Sequence, residues 1–406
     1  MRILFIHQNF PGQFFYLARA LMAKGHEVLA LTADTNETIT AIPTARYKLP
    51  PRKFDPSVFR TATHYAEMSF RGEAVVRKCE ELHKQDGLNP DVIIGHVGWG
   101  ETLFLKELWP GARLILYAEI FYRTRGQDFN FDPEFRRDEL SGIAFACARQ
   151  AHVLHAINAA DQLISPTKWQ ANSFPDYVRD RVAVIHDGID TDYIVPNFST
   201  SGQVSGPNLN VRKGDEILTF VNRNLEPYRG FHIFMRALPK VLKARPEAKV
   251  IIVGGEDLGY GAGPNSGKTW KQELLHELGA RIDLSRVHFV GRVPYDTFLG
   301  LMSMTRVHAY LTVPFVLSWS MLQAMSAGAF VVGSKTPPVE EVIQDGLNGL
   351  LIDFFDVDAW SDALIAGLSH PERYEAQRLA ARQTIVERYD LHSVCLPKQL
   401  ALVEGF

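Results

Sequence analysis

The chain has 406 residues, 46% of them hydrophobic, with a formal net charge of -3. That length suits two cores, since one core rarely grows past roughly 250 to 300 residues, and the near-neutral balance excludes a global field for nucleic acid. Three cysteines, Cys79, Cys147 and Cys395, lie far apart in sequence, which indicates neither a disulfide framework nor a zinc site and fits a reducing cytosol.

Arg2-Ile3-Leu4-Phe5-Ile6 is a short apolar run without a charged-then-apolar leader, and it reads as a first strand. Residues 2–7, 28–32, 91–95, 113–118, 162–165 and 182–186 are apolar runs followed by turn signals and separated by segments of helical period, the pattern of a parallel sheet. Between the first two, Phe14, Leu17, Ala18, Leu21 and Met22 recur at helical spacing from near Gln13 until Gly25. From about Pro196 to Gly214 apolar residues are few and no period holds, so this stretch reads as a linker. A second alternating series follows, with strands near 216–221, 249–253, 287–290, 307–311, 329–333 and 350–352. Helices at roughly 357–368, 371–388 and 393–403 close the chain without another strand. No apolar stretch approaches the roughly 18 to 20 residues that span a bilayer. Ligands of open parallel sheets sit beyond the carboxyl ends of the strands, so the expected site is a cleft between two α/β halves.

Several residue groups in these positions carry chemistry. Pro11-Gly12-Gln13 follows the first strand and opens the first helix, where glycine lets a ligand approach the backbone; a plain tight turn is the alternative. Arg223 and Arg229 lie six residues apart between an apolar strand and a helix, and two guanidinium forks there suit a diphosphate; the alternative is a salt-bridged helix entry. The helix beginning near Ser318 offers unpaired N–H groups and a positive dipole end at its amino terminus, where a diphosphate would be held, while Leu322, Met325 and Ala329 make its other face core. Glu119 closes the strand Tyr117-Ala118 and is read either as a polar group facing the cleft or as a buried carboxylate paired with Arg123 or Arg125. His96, after Val92-Ile93-Ile94-Gly95, is a second cleft candidate with a structural role as its alternative. A run of Arg46, Lys48, Arg52, Lys53, Arg60, Arg71, Arg77 and Lys78, interleaved with Tyr47, Phe54, Phe59 and Phe70, reads as a solvated basic face; the alternative is an anionic membrane surface presenting a lipid-linked acceptor.

Arg223 to Gly230, Ile251-Ile252-Val253-Gly254-Gly255, Val290-Gly291-Arg292-Val293-Pro294, Ser318 to Met325 and Glu340 to Leu350 occur in that order. Together they resemble the retaining, nucleotide-sugar-dependent glycosyltransferases of family four, group 1, across nearly the whole chain. The resemblance implies an α/β fold of GT-B type, two Rossmann-like doubly wound parallel-sheet domains facing a cleft, with the C-terminal helices crossing back. On it rest the expected domains: 1–196 for the acceptor, 197–214 as linker, 215–385 for the donor, and 386–406 packing toward the first. It also implies nucleobase binding near Arg292 and Val293, and sugar binding by the Leu317 to Trp319 backbone. Relatives carry two glutamates across this helix start; here those positions read Phe315 and Gln323, and the amide of Gln323 can still meet ribose hydroxyls. Asp190-Thr191-Asp192 looks like a metal-binding Asp-x-Asp but sits in what resembles the family's interdomain turn, so no metal is assigned.

The implied activity is transfer of a sugar from a nucleoside-diphosphate-sugar to a hydroxyl of a saccharide or glycolipid acceptor, with retention and without cofactor or metal. Arg223, Arg229 and Glu119 are the catalytic candidates, and Gly12, Arg292, Val293, Leu317, Ser318, Trp319 and Gln323 the donor-binding ones. His96 and Arg125 stand on the acceptor side. The expected partners are the nucleotide-sugar and the acceptor, with no nucleic acid, and the expected location is cytoplasmic, with a peripheral position at the inner membrane face open. A non-catalytic sugar-nucleotide binder, a sugar-nucleotide epimerase and an inverting transferase are the alternatives.

Overall fold

The computed structural model describes residues 1–51, 59–136, 140–196, 203–206 and 209–405. They form two compact units, Met1–Gly188 with His392–Phe406, and Ile189–Leu391. The sequence reading set these boundaries at 196 and 386. Residues 189–196 group with the second unit because Ile189 and Ile194 bury in its core. In addition, Ile189 donates to the Tyr389 carbonyl and Leu391 donates to that of Ile189, at 2.8 and 2.9 Å.

Among the described residues the first unit holds seven parallel strands: β1 (Arg2–Ile6), β2 (Glu27–Ala33), β3 (Thr44–Tyr47), β4 (Val92–His96), β5 (Arg113–Tyr117), β6 (Gln162–Ser165) and β7 (Val182–Val184), in the order β3-β2-β1-β4-β5-β6-β7. Ile3 and Phe5 enter one core cluster and Leu4 and Ile6 the other, so β1 is buried on both faces. A strand covered by helices on both sides needs no polar alternation, which is why its run is continuously apolar. The edge strand β3 escaped the sequence reading, because along it only Tyr47 is buried. The last helix, Leu396–Glu404, belongs to this unit: Glu404 meets Lys24 at 2.6 Å and His26 at 3.0 Å, and Arg113 donates to the carbonyls of Leu402 and Val403.

The expected linker includes an antiparallel hairpin, β8 (Gln203–Gly206) and β9 (Leu209–Arg212). Residues 197–202 and 207–208 lie outside the described set. The second unit's main sheet has six parallel strands among the described residues: β10 (Ile217–Asn224), β11 (Lys249–Gly255), β12 (Val287–Gly291), β13 (Val307–Tyr310), β14 (Phe330–Ser334) and β15 (Leu350–Ile352), ordered β12-β11-β10-β13-β14-β15. Strand order therefore reverses between β1 and β4 and again between β10 and β13. The crevice beyond the strand ends at such a point is where open α/β sheets place ligands. Among the described residues no helix is long and apolar enough to cross a membrane.

Four buried histidines make the fold acid-sensitive. Burial holds His7, His152 and His186 down at about 4 and His308 at about 3, with a neighbouring histidine adding to the effect at His7 and His152. Each unfolds into water with its ordinary value near 6.5, so the unfolded chain takes up protons first as pH falls. Their contribution is full above pH 6.5 and declines toward about pH 4, by up to about 1.4 kcal/mol per pH unit for each histidine. Thermal unfolding followed by circular dichroism should therefore show a midpoint that drops between pH 6.5 and 4.5 and stays level from pH 7 to 8.

Candidate functional site

In the second unit the strand-end positions on either side of the reversal carry the arginine pair and its partners. Arg223 stands exposed near the end of β10, where the register with β11 shifts between Val221 and Asn224, and its guanidinium has no hydrogen bond or ion pair among the described residues. Arg229 ends the turn Pro227–Arg229 and is 7% exposed. Its Nη1 donates to the Thr312 hydroxyl and to the Val316 carbonyl, both at 2.8 Å, and both beyond the end of β13. Its guanidinium carbon lies 5.6 Å from the ring centre of Tyr260 and 5.4 Å from that of Phe315. Among the described residues no carboxylate pairs with it. Guanidinium does not shed its proton in proteins, so a charge buried against neutral donors and rings stays uncompensated until an anion arrives.

Phe315, which stands where the family resemblance leads one to expect a glutamate, is 1% exposed. It meets Tyr228 edge-on at 5.1 Å and Tyr260 at 4.7 Å, walling the arginine with rings. Gly230 makes the Arg229 turn feasible: its φ is +66°, and a Cβ there would sit 2.3 Å from Leu311 Cβ.

Other donor-side candidates are partly engaged. Ser318 caps the helix Trp319–Ser326 by accepting from the Ser320 N–H, and its own N–H donates to the Tyr310 hydroxyl at 2.8 Å, so it is not the unpaired donor the sequence suggested. Leu317 is buried, and Trp319 is 41% exposed. Arg292 pairs with Asp257 at 2.6 Å and donates to Asn224 Oδ1 at 3.1 Å, while Val293 packs against the core. Gln323 Nε2 donates to the Tyr295 hydroxyl at 2.8 Å. In the Asp190-Thr191-Asp192 stretch, Asp190 accepts the Tyr193 N–H and Thr191 donates to Asp390, as a structural turn requires.

In the first unit the carboxyl ends of β1, β4 and β5 bring His7, His96 and Glu119 together. His96 Nδ1 accepts the Gly98 N–H at 2.9 Å, which leaves Nε2 as the protonated nitrogen facing Glu119 Oε2 at 3.5 Å. The expected partners of Glu119 lie elsewhere. Arg123 donates to the carbonyls of Ser173, Asn172 and Phe174, and Arg125 is exposed without a partner among the described residues. The His7 and His96 rings are 6.1 Å apart. Gly12 has φ +49°, and a Cβ there would lie 3.0 Å from His7 Cε1.

Sequence reasoning missed His7 and Glu101, although His7 stands at a strand end beside the glycine turn. Glu101 is fully buried, accepting from the Tyr47 hydroxyl at 2.7 Å and the Gln8 N–H at 3.1 Å, and burial pushes its carboxyl up to about 7. Arg71 donates to the Gln8 side chain, so the glycine loop is tied to β3 and to helix Arg60–Asp86. Much of the basic run is locally paired: Arg77 with Glu73, Lys78 with Glu81, and Arg46 with the Asn36 carbonyl. Arg52, Lys53 and Phe54 lie outside the described residues, as does the side chain of Arg60.

Two doubly wound units of this order define the GT-B fold. Over the whole chain the structure is similar to Alr3699/HepE from Anabaena, solved with UDP and glucose, at 17% identity with a TM-score of 0.69 over 99% of that chain. It is likewise similar to the sucrose-phosphate synthase of Thermosynechococcus elongatus, at 17% identity and a TM-score of 0.73 over 99% of that chain. Residues 24–194 match the glycosyl transferase family 4 group and residues 206–384 the glycosyl transferases group 1. The chain belongs to the group 1 glycosyltransferases. Among curated relatives, it is 25% identical to the D-inositol 3-phosphate glycosyltransferase of Corynebacterium jeikeium over 69% of this chain and 64% of that protein. It is 29% identical to the phosphatidyl-myo-inositol mannosyltransferase of Mycolicibacterium smegmatis over 44% of this chain and 42% of that one. The chain thus spans less than two thirds of the length of these relatives.

Two substitutions check this geometry. Gly230→Ala should lower the denaturation midpoint by an amount equivalent to about 2 kcal/mol or more, because it adds both left-handed strain and a backbone-level clash. Gln323→Glu keeps the Tyr295 hydrogen bond with its direction reversed, and should leave nucleotide affinity equal or higher in a titration. A large loss would place Gln323 against something other than a ribose.

Proposed function

We propose that the protein is a retaining, metal-independent glycosyltransferase that moves a sugar from a nucleoside-diphosphate-sugar to a hydroxyl of a saccharide or glycolipid. The observation that carries this is the uncompensated Arg229 charge, buried at the carboxyl end of the sheet where a diphosphate would lie. Arg229 would hold the diphosphate in both ground and leaving states, with exposed Arg223 supplying a second fork. A guanidinium already fixed by Thr312 and Val316 needs little reorganisation as negative charge grows on the leaving group, which is the condition for electrostatic stabilisation. In retention by same-face attack, an oxygen of the departing diphosphate takes the acceptor proton, so no strong protein base is needed. Glu119 beside His96 would then orient the acceptor hydroxyl or stabilise positive charge at the anomeric carbon.

The relatives support this reading through their names: a solved neighbour holds UDP and glucose, and two curated relatives transfer sugars to inositol-containing acceptors. An inositol phosphate, free or lipid-borne, is therefore the first acceptor class to try.

One observation favours a second reading. Phe315 fills the first glutamate position with a buried ring, and a binder that holds sugar-nucleotide without turning it over fits that loss.

Thermal stabilisation by UDP, GDP, ADP, CMP and dTDP without metal tests the donor site, since saturation at about 100 times Kd adds about 2.7 kcal/mol. One nucleotide should stabilise strongly. Arg229→Ala and Arg223→Ala should each weaken its binding about 10- to 150-fold, the equivalent of losing a charge-assisted contact of about 1.5 to 3 kcal/mol. Acceptor-dependent release of nucleoside diphosphate in the presence of EDTA separates the transferase from the binder. Binding without release sinks the former, and no binding sinks both.

A further inference from the structure

The loop 256–269 between β11 and helix Trp270–Leu278 carries Gly259, Gly261, Gly263 and Gly267, yet it is gripped from the Arg229 turn. The grip is the Glu226 carboxylate, 3% exposed, which accepts the Tyr260 N–H at 3.0 and 3.1 Å and the Gly261 N–H at 3.0 Å. Gly259 passes so close that a Cβ there would come within 2.2 Å of Glu226 Oε1. Held this way, the Tyr260 ring lies 4.7 Å from Phe315 and 6.0 Å from Tyr228, and covers Arg229, while 46% of Tyr260 stays open to solvent.

Glu226 is the acidic residue nearest to Arg229 in sequence, and its oxygens are bound to the loop backbone instead of to that cation. A cation meant for a diphosphate has to be fixed without being neutralised, because a carboxylate on it would compete with the ligand. Rings meet that need: their faces attract a guanidinium, and they carry no charge to displace.

Building on the donor reading above, we propose that Glu226 is a positioning residue that clips loop 256–269 in place. Tyr260 thereby steadies Arg229 and presents its open ring surface to the group attached to the diphosphate. The wall that meets the donor there is aromatic, formed by Tyr260 over Phe315, at the place where the family resemblance leads one to expect a glutamate.

The experiment titrates the same five nucleotides into the wild type and the best-bound of them into the variants Arg229→Ala, Glu226→Ala, Tyr260→Ala, Tyr260→Phe and the Glu226→Ala/Tyr260→Ala pair, with trypsin cleavage at Lys268 reporting loop opening. Glu226→Ala and Tyr260→Ala should each weaken the best-bound nucleotide by about fivefold to tenfold, the range of a partly desolvated cation–π contact. The pair should be no more than about twofold weaker than the worse single, because both act through one ring. Tyr260→Phe should restore affinity, and Glu226→Ala should speed cleavage at Lys268. Should Glu226→Ala fail to fold, the half-exposed Tyr260 variants still decide the matter. Unchanged binding in both singles, or losses that multiply in the pair, with Arg229→Ala still weakening binding at least about tenfold, overturns this proposal and leaves the donor site standing. A wild type that binds none of the five nucleotides tested above, or an Arg229→Ala variant that binds normally, overturns the donor reading and this proposal with it.

Discussion

A guanidinium buried to 7% exposure with no counter-charge among the described residues is the constraint on which the second unit's site depends. Burying a charge is costly unless something offsets it, and pairing it internally would remove the reason for placing it there. The surroundings of Arg229 are arranged to hold its geometry while leaving its charge. A hydroxyl and a carbonyl fix one edge of the fork, rings flank it, and the carboxylate three residues earlier is occupied by backbone N–H groups. Gly230 is part of the same arrangement, since the turn that aims Arg229 passes too close to Leu311 for any side chain.

The first unit handles its polar groups differently. His7, His96 and Glu119 stand at strand ends, and burial keeps His7 neutral near physiological pH. Glu101 and Tyr47, both buried, and half-buried Arg71 form a network with the backbone and side chain of Gln8 that anchors the loop carrying Gly12. Such a network favours one loop conformation, because a partner left unmatched carries a desolvation penalty. A loop held this firmly can present backbone and imidazole groups in a fixed pose.

Much of the fold was legible because strands buried on both faces must be continuously apolar, and glycine stops must follow the helices between them. The runs at 2–7, 113–118, 249–253 and 307–311 became β1, β5, β11 and β13 for that reason. Where burial was one-sided or slight, the signal failed. Strand β3 buries Tyr47 alone, and its exposed arginine read as part of a charged surface. The hairpin within 203–212 sat in a stretch with too few apolar residues to show a period. The unit boundary at Gly188 was hidden as well, since Ile189 and Ile194 declare their allegiance only by where they bury.

By itself the sequence determined the two alternating α/β series, the pair of cations at a strand-to-helix junction, and the absence of a carboxylate at 315 and 323, because these are matters of residue type and order. Only the tertiary structure decided which cation is buried and uncompensated, that Glu119 faces His96 and not Arg123 or Arg125, and that Glu226 serves the loop at Tyr260. Those outcomes depend on solvent exclusion and on contacts between segments tens of residues apart. Arg229 and Val316, or Glu226 and Tyr260, meet because parallel strands with helical crossovers carry distant loops to the same end of one sheet.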